Sequence, residues 1–289
     1  MEGQRPISWY PGHMAKAKRQ LETQLKRVDI VLELCDARLP LSSRNPALDE
    51  MLGNKPRLLM MNKEDLADPA ATRRWEAYFL GQGIQAFPIQ AGKNRQRILK
   101  LVDELTADKR RRAESRGIAI TSRAMVVGVP NVGKSTLINA LAGRSAFKVQ
   151  DRPGITRAAQ WIKAGERLEL LDTPGMLWPK LHDQHAARRL AYIAAIRDEV
   201  LDTYHLATGL LDELMATVPE KVMARYKLED SSLRGQALLE AICRARGFLQ
   251  KGNAYDLERG ATCVLDEFRG GLIGRITLEL PPEVHHGEQ

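Results

Sequence analysis

Residues 128–136, GVPNVGKST, limit what this chain can fold into more than any other stretch. An apolar run, AMVV (124–127), leads into them, and KSTLINALAG (134–143) leads out with helical spacing and a closing glycine. The pattern G-x-x-x-x-G-K-[ST] between a strand and a helix is built to wrap an anion. Glycines let the backbone close around it, and successive N–H groups at a helix start face it. A chain carrying this turn is committed to an α/β arrangement with the loop at the C-terminal end of a strand.

The residue types around the loop assign parts. Lys134 is expected to reach β- and γ-phosphates, and Ser135 to ligate Mg²⁺. Asn131, Val132, Gly133 and Thr136 complete the segment lying against the nucleotide. In DTPG (172–175), Asp172 is expected to hold magnesium through its water shell, and Gly175 to offer an N–H to the γ-phosphate. Thr156, in DRPGITR (151–157), is the expected Mg²⁺ ligand of the triphosphate state. Lys134 and Thr156 therefore count as catalytic groups.

The base is read by a different stretch. LLMMNKED (58–65) ends an apolar run in N-K-x-D. A carboxylate at Asp65 can accept from both N1–H and the exocyclic amino group of guanine, a donor pair that adenine lacks. Asn62 is expected to touch the base and the phosphate loop, and the stem of Lys63 to lie along the base plane. PIQAGKNR (88–95) is expected to bring Gln90 and Ala91 near the base. This base motif precedes the phosphate loop, the reverse of the usual order. The site needs its strand ends side by side in a sheet, not in a fixed order, so a chain with joined old termini and a new break can still form it. DKRRRAESRG (108–117), a charge run with no apolar face, reads as the joining linker or as a solvated helix end.

Elsewhere, VDIVLELCDAR (28–38), RLLMMNKED (57–65), IQAFPIQ (84–90) and RLELLDTPG (167–175) read as strands ending in loops. PAATRRWEAYFLGQG (69–83) and RQRILKLVDEL (95–105) read as helices, giving a mostly parallel sheet flanked by helices. From about residue 186 the pattern is helical: AARRLAYIAAI, TGLLDELMATV and GQALLEAICRARG, then a final helix with an extended tail packed back on the core. The expected division is a circularly permuted P-loop domain over 1–182 and a smaller helical domain over 183–289.

Charge is uneven. Residues 1–179 hold 30 Lys and Arg against 19 Asp and Glu, whereas 180–289 hold 14 against 17. A basic first part suits a polyanion, with RNA foremost. The N-terminal helix (Lys16, Lys18, Arg19, Lys26, Arg27) and Arg188, Arg189, Arg244, Arg246 and Lys251 are candidate phosphate contacts. Three cysteines without a close pair suit a reducing cytosol, and no apolar stretch is long enough for a membrane span. Met176 and Leu177 follow Gly175, where related switches carry a water-orienting Gln; neither polarises water.

WYPGHMAKAKRQ, DARLPLSSRNP, NKED, GVPNVGKSTLIN, DRPGIT and LLDTPGMLWPK together closely resemble the ribosome biogenesis GTPase A (YlqF-type) family of circularly permuted GTPases. The resemblance implies slow GTP hydrolysis stimulated by the ribosomal subunit and coupled to late maturation of the bacterial large subunit. It further implies a C-terminal domain that binds ribosomal RNA, a cytoplasmic monomer and possible contacts with ribosomal proteins. A GTPase acting on another RNA, for example in transfer RNA modification, is the alternative. By resemblance, His13 of PGHM positions the attacking water, and Asn131 holds a potassium ion near the β- and γ-phosphates. Gln90 departs from the serine usual in the family.

Overall fold

The computed structural model describes residues 19–143, 160–173, 184–196 and 201–282. Helix α1 covers 19–25. Then come β1 (Ile30–Asp36), α2 (Pro46–Leu52), β2 (Arg57–Asn62), α3 (Pro69–Gly81), β3 (Ala86–Pro88), α4 (Arg95–Glu114), β4 (Ser122–Gly128), α5 (Lys134–Ala142), β5 (Gln160–Lys163) and β6 (Leu168–Asp172). From α6 (Gln184–Tyr192) the named elements are helices: α7 (Thr203–Thr217), α8 (Pro219–Tyr226), α9 (Gly235–Arg246) and α10 (Leu257–Arg269).

Among the described residues six strands form one sheet in the order β3-β2-β1-β4-β6-β5. All neighbours are parallel except β5, which runs antiparallel to β6. Strand β1 is buried along its whole length, so its alternate side chains feed two cores. Ile30, Leu32 and Leu34 join Ile98 and Val102 of α4 and Leu137, Ile138 and Leu141 of α5. On the other face Val31 meets Leu21, Leu25, Leu48 and Leu52 from α1 and α2. There too Cys35 joins Trp75 and Phe79 of α3. The first of these clusters continues without a break into α6–α10.

Strand order reverses between β1 and β4. In an open parallel sheet that reversal opens a crevice at the C-terminal strand ends. The ends of β2, β1, β4 and β6 carry Asn62, Asp36, Gly128 and Asp172, so the chemically distinctive residues gather along one edge.

Of the two readings of 108–117 the helix end holds and the linker is corrected: α4 continues through Glu114 before Gly117 turns at φ 72°. Lys, Arg, Ala and Glu are good helix formers, so no apolar stripe is needed to extend a helix already packed through Ile98, Val102 and Thr106. Four of its charged residues are paired, as Arg110–Asp103, Arg111–Asp108 and Lys109–Asp29. The final tail does pack back on the core. After α10, Ile276 N–H donates to Leu66 O at 2.9 Å and Leu278 N–H to Arg38 O at 2.9 Å. The Trp75 indole N–H donates to Glu279 O at 2.8 Å.

Candidate nucleotide site

Both glycines of the phosphate loop are required by close approach. A Cβ at Gly128 would stand 2.6 Å from Leu34 O, on the neighbouring strand. At Gly133, φ is 105° and a Cβ would overlap the Asn62 side-chain nitrogen. Gly133→Ala is therefore expected to cost about 1–3 kcal/mol of stability and to weaken nucleotide binding, as thermal melts and a fluorescent-nucleotide titration would show.

That overlap marks where two remote motifs meet. The Asn62 Nδ2 donates to Val132 O at 2.7 Å, and its Oδ1 accepts from Ala91 N–H at 2.9 Å. One buried amide thus ties the base motif, the second base-side loop and the phosphate loop together. Segments 62–65 and 128–135 stand on one edge of the sheet, as a single nucleotide requires.

Lys134 opens α5 and is buried. Its Nζ donates to Gly128 O at 3.0 Å and Val129 O at 2.8 Å, two carbonyls of the loop that it spans. Burial pushes its pKa down to about 8, with the Asp172 carboxylate pulling the other way. Ser135 and Thr136 follow in the first turn of α5. Asp172 ends β6, buried and in register with Val126 of β4, the adjacent strand that feeds the loop; Thr173 beside it donates to Val126 O at 2.7 Å. A serine hydroxyl at a helix start and a buried carboxylate are hard oxygen donors, the set that suits Mg²⁺ bound mainly through phosphates and water. Among the described residues no group of three or more His, Cys, Asp or Glu could cage a metal by itself.

On the base side, Lys63 is left-handed at φ 61° and starts the short turn Glu64–Leu66 that carries Asp65. The turn is pinned to the next loop by Glu64 N–H to Ile89 O at 3.2 Å. Gln90 Nε2 donates to Asp65 Oδ2 at 3.3 Å, so the two residues expected at the base are tied to each other. Asn131, also left-handed at φ 57°, donates its side-chain N–H to Ala194 O at 2.9 Å, joining the phosphate loop to the segment after α6. His13, Thr156 and Gly175 lie outside the described residues.

Sequence reasoning missed Asp36 and Arg38 of the DAR stretch. Both are buried, and the guanidinium grips the carboxylate with two bonds of 2.9 and 2.8 Å. Lys63 Nζ stands 3.3 Å from the same carboxylate. Burial disfavours the Asp36 anion, yet Arg38 and Lys63 hold its titration below the ordinary carboxylate range. The motif had been visible as letters; its coupling to the base lysine had no local signal. Three candidate phosphate contacts are engaged internally: Arg189 with Glu213, Arg246 with Glu267, and Arg244 with the Tyr255 hydroxyl.

A mostly parallel sheet with a phosphate loop and the N-K-x-D turn on one edge, in permuted order, defines a guanine-nucleotide-binding P-loop protein. The model of the 50S ribosome-binding GTPase family matches residues 123–228. Ribosome biogenesis GTPase A of Bacillus cereus is 46% identical over 286 residues, 98% of this chain and 96% of that protein. The protein of the same name from Priestia megaterium is 47% identical over 281 residues, 96% and 98% of the two chains. The GNP-bound structure of YlqF from T. maritima superposes with a TM-score of 0.65 at 27% identity, covering 93% of this chain and all of that one. The chain belongs to the ribosome biogenesis GTPase A family of circularly permuted GTPases.

Proposed function

We propose that this GTPase couples GTP hydrolysis to late maturation of the large ribosomal subunit, with precursor particles and ribosomal RNA as its partners. The observation that carries the nucleotide part is Asn62, which holds the base motif against the phosphate loop. The ribosomal part rests on the names of relatives that match over nearly the full chain. Residues 183–289 act as the RNA-engaging unit beside the permuted nucleotide domain of 1–182, helped by the basic N-terminal segment. The protein works in the cytoplasm as a monomer. Among the described residues no helix is long and apolar enough to cross a membrane.

At the site, Lys134 neutralises phosphate charge, Ser135 and Asp172 hold Mg²⁺, and Thr156 joins them in the triphosphate state. Bound Mg²⁺ supplies charge stabilisation to the transferring phosphoryl group. Gly175 donates its N–H to the γ-phosphate, and GTP thereby fixes the segment that leads into α6 and reorients the helices beyond it. Such a site turns over on the order of 10⁻⁴ s⁻¹ without added catalytic groups. Met176 adds none; the family resemblance assigns water orientation to His13, and Asn131 would hold a potassium ion, which would supply positive charge near the β- and γ-phosphates.

Phosphate release measured with and without large subunits, in potassium and in sodium, tests this reading. Turnover is expected to rise with subunits and with potassium; a rate indifferent to subunits would remove the ribosomal role. His13→Ala is expected to lower turnover about 10²-fold with GTP affinity nearly intact. Loss of affinity instead would assign His13 to binding.

A further inference from the structure

The base-reading turn is held from behind by the far end of the chain. Arg275 reaches it with two bonds: Nε–H to Ala67 O at 2.9 Å and Nη2–H to Glu64 O at 2.7 Å. Asp65 lies between those two carbonyls. The Thr277 hydroxyl accepts from Asp68 N–H at 3.0 Å, and Ile276 N–H donates to Leu66 O at 2.9 Å. Leu66 packs so closely on Gly271 that a Cβ there would stand 2.7 Å from it. Residues 64, 66 and 67 thus each accept a bond from, and residue 68 donates one to, a segment more than 200 residues away.

A second line runs from the same end of α10. Arg38 donates through Nη1 to Phe268 O at 3.2 Å and Arg269 O at 3.3 Å, the last carbonyls of that helix. The same guanidinium grips Asp36, which faces the Lys63 ammonium. The turn carrying Asp65 is therefore held by the C-terminal tail, and Lys63 is linked through Asp36 and Arg38 to the end of α10.

We propose that Arg275 is a positioning residue for guanine recognition, and that residues 271–277 form the back wall of the base site. This rests on the assignment of Asp65 to guanine. The consequence is regulatory. Coupling between two sites is reciprocal, so guanine binding braces the end of α10, and any partner that draws α10 and its tail away loosens the nucleotide by the same factor. Engagement of the helical region by the assembling particle would then hasten release of GDP without a separate exchange protein.

The test uses the full chain and two probes: a fluorescent GDP analogue, and magnesium pyrophosphate, which has no base. Arg275 is exposed, so Arg275→Ala leaves the core intact. Release of GDP is expected to quicken about three- to tenfold in Arg275→Ala, less in Thr277→Val, and to recover in part in Arg275→Lys. Pyrophosphate affinity is expected to stay level in all three. Unchanged GDP release in both Arg275→Ala and Thr277→Val, or a parallel loss of pyrophosphate, would overturn the proposal. Asp65→Asn, run alongside, separates the two ideas. If it loses GDP while the tail variants do not, the tail proposal alone fails. If it too keeps GDP, the base assignment fails with it.

Discussion

Asp65→Asn is expected to exchange guanosine for xanthosine as the preferred nucleoside, with GTP affinity falling about 10²- to 10⁴-fold. A carboxylate offers two acceptors, which match the N1–H and 2-amino donors of guanine. An amide offers one acceptor and one donor, which match the N1–H and the C2 carbonyl of xanthine. The loss is large because the guanine amino group would then face an N–H across a desolvated gap, and an unmatched polar pair costs more than an absent one. The turn geometry supports a clean exchange. Asp65 sits on a short turn pinned by Ile89 O and by Arg275, so the substituted side chain keeps its place. Gln90 Nε2, now on Asp65 Oδ2, can donate to an amide oxygen as well. Competition of GDP and XDP against a fluorescent nucleotide measures the shift. Equal GDP affinity in both proteins would detach Asp65 from the base.

What could be read from the letters follows a physical division. The phosphate loop announced itself because its chemistry is local: a strand, two glycines, a lysine and a helix start, all within a few residues. The base motif was legible for the same reason, as four residues at the end of an apolar run. That the two meet was an inference from strand-end geometry, and the Asn62 amide supplies the contact. The linker reading of 108–117 came from treating charge as a break, when a helix anchored by Ile98 and Val102 can extend on propensity alone. Short elements without a strong period, such as α2, α8 and the antiparallel edge strand β5, left too little pattern to find. Buried charge was the least visible class. Glu33 looks like an interruption in an apolar strand, yet Arg44 and Arg57 meet it at 2.9 and 3.3 Å. Its partners lie 11 and 24 residues away, and the carbonyls that Arg38 and Arg275 reach across the fold lie more than 200 away, so no spacing rule could reveal them.

Lys134→Ala is expected to leave the fold intact and to lower GTP turnover by about 10³-fold or more, since a single preorganised donor at developing charge is worth about 10²–10³ and this one also carries a full charge. The structure adds a signature that separates a phosphate ligand from a structural lysine. Burial depresses the Lys134 pKa to about 8, from an ordinary value above 10. Arriving phosphates favour the ammonium and raise that pKa, so nucleotide binding must take up a proton wherever the free protein holds the amine partly neutral. At pH 8 about half a proton is expected to be taken up per nucleotide bound, and near pH 6.5 almost none, because the lysine is already charged there. The sign follows directly: affinity weakens as pH rises through 8, as charge must be installed at a growing cost. Calorimetric titrations with GDP and Mg²⁺ in buffers of different ionisation enthalpy read the proton count. An uptake that does not grow between pH 6.5 and 8 would place the ammonium away from the phosphates, leaving Lys134 with only its two loop carbonyls, Gly128 and Val129, to hold.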